Sequence, residues 1–227
     1  MTRIKLDDRT LPAYSRGEEI FNMVSHIVGG GFGAAALITC VAVSIIRKNY
    51  WGLAGAVIYC LMMIFLYTMS SVYHGLYPGR AKKVLQVLDH CTIYALILGT
   101  YAPILLTGLR AYDPLRSLVL FCVIFVCTAV GVVFTAIDFK TYKWIAYGGY
   151  FVVGWTALLA AGWLVKAFGW PLFLWLLAGG VMYTSGMVFY AVGRSKAYFH
   201  SIFHLFILAG TALQFVGIFK YCVLTVY

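Results

Sequence analysis

The residues best suited to chemistry lie near the end of the chain, in Tyr198-Phe199-His200-Ser201-Ile202-Phe203-His204-Leu205. His200 and His204 are four apart at the head of a long apolar run. On an α-helix, positions i and i+4 share a face with Cβ atoms about 5–6 Å apart, so two imidazoles can grip one metal ion. The flanking residues suit a helix in lipid. An ionisable side chain is costly there and tends to mark function. Further ligands to the same ion must then arrive from other helices.

The composition says what those helices are. The 227 residues are 63% hydrophobic and 11% charged, where a soluble domain carries about a quarter charged residues. Soluble classes are therefore excluded. A span needs about 20 apolar residues to cross about 30 Å of hydrocarbon. Seven runs qualify: Ile20 to Ile46, Trp51 to His74, Val84 to Leu109, Ser117 to Ile137, Trp144 to Val165, Trp170 to Val192 and Phe199 to Leu224. The expected fold is an all-α integral membrane protein, a seven-transmembrane helix bundle. Residues 1–19 form a short cytoplasmic N-terminal segment and residues 20–227 a single transmembrane domain. Short loops make successive helices neighbours, mostly antiparallel. Met1 to Arg16 has mixed charge and no apolar core, so no signal peptide is expected ahead of the first span.

The basic residues set the orientation. Eleven fall on the side of the N-terminus: Arg3, Lys5, Arg9, Arg16, Arg80, Lys82, Lys83, Lys140, Lys143, Arg194 and Lys196. Six fall on the other: Arg47, Lys48, Arg110, Arg116, Lys166 and Lys220. The positive-inside rule puts the N-terminus in the cytoplasm and the C-terminus outside. The same distribution, spread over short loops beside spans, explains the net charge of +10 without nucleic acid. The six cysteines lie in or beside apolar runs and make no C-x-x-C pair, so they read as small buried thiols. Glycines in the first, fifth and sixth spans are packing devices. Pro103 should kink the third span.

With that orientation, His74 ends the second span on the cytoplasmic side. Asp89 lies about one and a half turns into the third span, and His200 and His204 open the seventh on the same side. Three remote segments thus meet at one depth. Three neutral imidazoles with an open fourth position form a catalytic zinc arrangement. Zinc (Zn2+) suits imidazole better than iron or copper does in a tetrahedral site. Asp89 can orient a water, act as general base or ligate directly. Ser70 precedes His74 by one turn and can hold that water or polarise a substrate carbonyl. Glu19, Asn22 and His26 give the first span a polar face at the same end, as residues supporting the ligands or anchoring the helix. His90 points about 100° away from Asp89 and stays outside the ligand set.

Together these residues resemble a known family. Glu19-x-x-Asn22-x-x-x-His26, Ser70-x-x-x-His74 with a later Asp89, and His200-x-x-x-His204 are similar to the motifs of the haemolysin III group of the progestin and adipoQ receptor family. The order and the helix ends are the family's, and the resemblance runs from Glu19 to near the end of the chain. It implies a seven-helix bundle with a cytoplasm-facing zinc site on His74, His200 and His204, with Asp89 nearby, often through water. It also implies kinship with alkaline ceramidases, which hydrolyse lipid amides with a similar set of Ser, Asp and three His. Bacterial members are linked with membrane-lipid homeostasis. The short N-terminal segment is similar to theirs, which places the chain as a multi-pass protein of a bacterial inner (cell) membrane with membrane lipids as partners.

Each residue also has an ordinary role to set against this. Interfacial histidines solvate a helix start; Asp89 can tie two helices together; Ser70 can bond back to its own helix; Glu19, Asn22 and His26 can serve the first turn. Three functions follow from different classes: a zinc hydrolase of a lipid amide or ester, a lipid-sensing or receptor-like protein with structural zinc, and a pore-forming haemolysin. No charged stripe along several spans would line a permanent aqueous channel, which weighs against the last.

Overall fold

The computed structural model describes residues 3–192 and 196–227. Arg194, one of the orienting basic residues, lies outside them. Among the described residues every regular element is helical. In order the helices of eight or more residues are α1 (Arg16–Ile46), α2 (Tyr50–Gly75), α3 (Arg80–Ile104), α4 (Pro114–Asp138), α5 (Lys143–Leu159), α6 (Ala161–Phe168), α7 (Trp170–Val192) and α8 (Phe199–Ile218). Six spans are long and apolar enough to cross a bilayer alone, and α5 with α6 makes a seventh. The protein is a multi-span helical membrane bundle.

Local chemistry sets the helix starts. Ser15 caps α1 in a reciprocal box: Glu18 N–H donates to Ser15 Oγ, and Ser15 N–H donates to Glu18 Oε2 at 2.9 Å. Asn49 caps α2 by accepting from Gly52 N–H at 2.8 Å. Asp113 caps α4, with Pro114 at the first helical position, where its missing N–H costs nothing. Because α1 begins at Arg16, the segment outside the first helix is shorter than residues 1–19.

Two spans depart from the regular helices expected. The third runs on from Ile104 through a wide turn, Leu105–Leu109, to Tyr112, with Thr107 at φ −104°, ψ −112°. Pro103 cannot donate, and the Thr107 hydroxyl reaches back to the Pro103 carbonyl at 2.5 Å, satisfying part of the disturbed ladder. The fifth span, expected as one helix from Trp144 to Val165, is broken at Ala160, and its halves meet at 54°. The bend lets the Phe168 ring lie against Gly108, where a Cβ would collide with it.

α1 packs on α2, α2 on α3, and α7 on α8, which also meets α1. Tyr59, Met63 and Tyr67 of α2 and Tyr94 of α3 are fully buried. The buried hydroxyls are tied down. Tyr67 donates to Thr211 Oγ1 at 2.8 Å, Tyr94 to the Ala146 carbonyl at 2.9 Å, and Tyr150 to the His90 carbonyl at 2.8 Å. Such bonds couple helices in lipid, where an unpaired hydroxyl has no water to turn to.

Residues 3–15 lie as a strap across the face that carries the basic excess. Ile4 N–H donates to Asp138 Oδ2 at 2.7 Å, and Arg9 Nη2 to the Ile137 carbonyl at 2.6 Å. Lys140 bonds Thr10, and Lys83 Nζ donates to the Asp7 carbonyl. The strap therefore joins the end of α4 to the start of α3 before entering α1.

Candidate metal centre

At the α1 end of the strap, two helix ends bring three histidines together. His74 is the next-to-last residue of α2, and His200 and His204 occupy the first two turns of α8. All three are buried, and one ring nitrogen from each lies within 4.8 Å of the other two. His200 Nε2 and His204 Nε2 are 3.1 Å apart. A tetrahedral zinc about 2.0–2.1 Å from each nitrogen sets neighbouring nitrogens about 3.3 Å apart, so the spacing suits one ion.

The protonation pattern suits it too. His74 Nδ1 lies 2.6 Å from Glu19 Oε2. An ionised carboxylate only accepts, so Nδ1 carries the proton and Nε2 keeps its lone pair. His74 Nε2 is buried with no hydrogen-bond partner among the described residues. A buried imidazole nitrogen left free while its twin is fixed by a carboxylate is the arrangement of a metal-ligating histidine.

Asp89 and Ser70 are not in the group of donors that can share an ion, but both line the cavity that also touches His200 and His204. About 340 Å3 of it is open to water-sized molecules, against roughly 10–15 Å3 needed for one water, so it has room for a ligand. From the histidines it runs past Ile93 and Tyr101 of α3, Gly154 of α5 and Thr184 of α7 to Gln214 of α8. Most of the wall is apolar. Trp155 Nε1 donates to Thr184 Oγ1 at 3.1 Å across α5 and α7. His90 borders the cavity as well, although its nitrogens face Gln86 O at 2.6 Å and the Tyr190 hydroxyl at 3.2 Å rather than the cluster.

The polar face of α1 divides into distinct roles. Glu19 holds His74. The helix-start cap belongs instead to its neighbour Glu18, which also accepts from Tyr198 N–H at 2.8 Å and so ties α1 to the start of α8. The His26 ring stacks on His204 with centroids 3.8 Å apart, and both of its nitrogens lack hydrogen-bond partners among the described residues. Asn22 is fully buried, and both of its side-chain polar atoms are unpaired among the described residues.

A family model described as "Haemolysin-III related" matches residues 14–215. The chain belongs to the haemolysin III family. The matched stretch holds every residue of the cluster. The "Hemolysin-3 homolog" of Bacillus subtilis (strain 168) is 29% identical over 206 residues, covering 91% of this chain and 95% of that protein. The "Hemolysin-3" of Bacillus cereus is 32% identical over 214 residues, covering 91% and 90%. With seven spans and bacterial relatives of this likeness, the chain is a multi-pass protein of the bacterial inner membrane.

Two residues of this haemolysin III site were not named from the sequence. Tyr14, in the strap, stacks on His200 with centroids 4.8 Å apart and 17° between planes, covering that ligand from the strap side. The strap has no helical period, so nothing in the sequence aims Tyr14 inward. Lys82 is buried, and its Nζ lies 2.6 Å from Glu19 Oε1. The expectation used it only as an orienting charge. Its spacing of seven from Asp89, two turns on one helix face, was the available signal.

Proposed function

We propose that this haemolysin III protein is a zinc-dependent hydrolase of an amide or ester bond in a membrane lipid. The observation that carries the reading is three buried imidazoles gathered within 4.8 Å, two of which, His200 and His204, line a largely apolar cavity whose wall also bears a carboxylate and a hydroxyl. His74, His200 and His204 would hold the ion. Zinc supplies a Lewis acid that polarises the scissile carbonyl and makes hydroxide accessible near neutral pH. Ser70 offers its hydroxyl to the carbonyl oxygen. Asp89 takes a proton from the attacking water and returns it to the departing amine nitrogen or alcohol oxygen. The C–N or C–O bond breaks, and the hydroxyl stays on the acyl carbon as a carboxylic acid. The apolar wall suits a hydrocarbon chain and excludes bulk water.

The test uses purified protein and labelled ceramide-like lipids, with metal content measured in parallel. Asp89→Asn is expected to keep zinc and lose at least a hundredfold in turnover. Zinc retention with full turnover would remove Asp89 from the reaction.

A second reading is a lipid sensor with structural zinc. Tyr14 favours it, because its ring stacks on His200 and covers one face of that imidazole, and structural sites are closed. On that reading chelation lowers the melting temperature, and no lipid is cleaved by the zinc-loaded protein. The relatives' printed names suggest a lytic protein as well. Reconstituted liposomes leaking small dyes would favour that reading, and tight ones would dismiss it.

A further inference from the structure

His74 occupies a weak position for a ligand. It stands at the end of α2, which stops at Gly75 before Leu76 turns to φ −83°, ψ 146°. Carbonyls of a last turn have no partners within the helix, so α2 itself holds His74 loosely. Two contacts from other helices compensate. One is Glu19 Oε2 on Nδ1. The other comes from α3: Lys82 Nζ donates to Glu19 Oε1 at 2.6 Å and to the Leu76 carbonyl at 2.9 Å, and lies 5.3 Å from the centre of the Tyr73 ring.

We infer that Lys82 is a positioning residue for the metal centre: it locks the Glu19 carboxylate in the orientation that fixes His74 as a ligand. The inference rests on the metal reading of the three histidines and extends it to a residue on a third helix. A carboxylate with each oxygen engaged cannot rotate. Glu19 retains 20% of its side-chain exposure. Without Lys82, water would compete for both oxygens, and His74 Nδ1 would lose its fixed acceptor. The imidazole proton could then move to Nε2, and in that tautomer Nε2, the nitrogen facing the cluster, has no lone pair for the metal.

Stability alone does not account for Lys82. A buried ion pair adds little over well-packed apolar residues. Arg80 and Lys83, close by in the same turn, reach outward to Asp7, whereas the Lys82 side chain keeps only 4% of its exposure. Its ammonium also ties the backbone two residues past His74. One side chain thus fixes both the partner of the ligand and the chain end that carries it.

The experiment measures zinc affinity of the purified full-length protein by competition with a chelator, and the visible spectrum of the cobalt-loaded form. Lys82→Met is expected to weaken zinc about 10–100-fold and to change the cobalt bands, while Lys82→Arg keeps most of the affinity. The metal-free melting temperature is expected to fall as well, because Glu19 is left without its cation, so the cobalt bands and the Lys82→Arg rescue separate positioning from stability.

Glu19→Gln supplies a sharper sign. With Lys82 present, the new amide must give its oxygen to Lys82 and turn its NH2 towards His74 Nδ1, which forces the proton to Nε2 and weakens zinc. In Glu19→Gln/Lys82→Met the amide is free to turn its oxygen to Nδ1–H, and affinity should recover. Loss of Lys82 therefore harms binding beside Glu19 and helps it beside Gln, a reversal that a mere strut would not produce. Where Lys82→Met folds poorly, Glu19→Gln alone still reads the effect, because it keeps Lys82 and should lose zinc affinity. Wild-type zinc affinity in Lys82→Met, or no recovery in the double variant, would overturn the inference alone. Wild-type protein that takes up neither zinc nor cobalt would overturn the metal reading with it.

Discussion

The bundle buries polar groups at both ends of its helices, and the two ends treat them differently. At the loop between α1 and α2, Asn49 leaves nothing unpaired. Its Oδ1 accepts from Gly52 N–H, and its Nδ2 donates among the carbonyls of Cys222, Val223 and Thr225, 2.8–3.0 Å away. Among the described residues the strap end gathers more unpaired atoms, both polar atoms of Asn22, both nitrogens of His26, His74 Nε2 and Ser201 Oγ, where the other end has Ser44 Oγ. Buried groups without partners are expensive, more so in lipid. A closed network holds helices together. An open one, kept beside a cavity, is built to receive something.

That contrast predicts opposite responses to mutation. The largest effect should be at the open end: His204→Leu abolishes zinc binding by elemental analysis. In the metal-free protein the same change removes the 3.1 Å contact with His200 but also the cost of burying a polar ring, so the melting temperature should change little. A marked fall in the metal-free protein would mean that the cluster is an ordinary structural network. Next in size is the closed end. Asn49→Ala strips the α2 cap and a donor from buried carbonyls, which should cost about 3 kcal/mol in chemical unfolding from detergent. Zinc content per folded chain should not change, and a change would show that the two ends are coupled.

The smallest effect concerns the cover over the open end. Tyr14→Ala should leave equilibrium zinc affinity nearly unchanged while a chelator strips the metal several-fold faster. Equal stripping rates would show that Tyr14 does not guard the ion.

Much of the open end was legible in the sequence. Helical period placed His200 on one face with His204, and the basic-residue count put His74 and Asp89 at the same depth. The same period aligned Glu19, Asn22 and His26, although it could not say that Glu18 would cap the helix and leave Glu19 for His74. Lys82 was hidden because a lysine beside a span reads as an orienting charge whether it faces out or in. Tyr14 was hidden because an irregular strap has no period from which to infer direction. Pro103 announced a kink but not its form, a wide turn centred on Thr107. At Ala160 the one local signal was Gly162, a single glycine that weakens a helix without announcing the bend that serves Phe168 and Gly108. These features depend on contacts between remote segments, which local pattern does not encode.

The central claim is that one ion joins α2 and α8 through three imidazoles. X-ray absorption at the zinc edge, on protein purified without chelator, tests it most directly. The account predicts one zinc per chain, with nitrogen and oxygen neighbours at about 2.0–2.1 Å, and none in His200→Ala. Wild-type protein that stays free of zinc when supplied with it, or that binds it equally well in His200→Ala, would contradict the account.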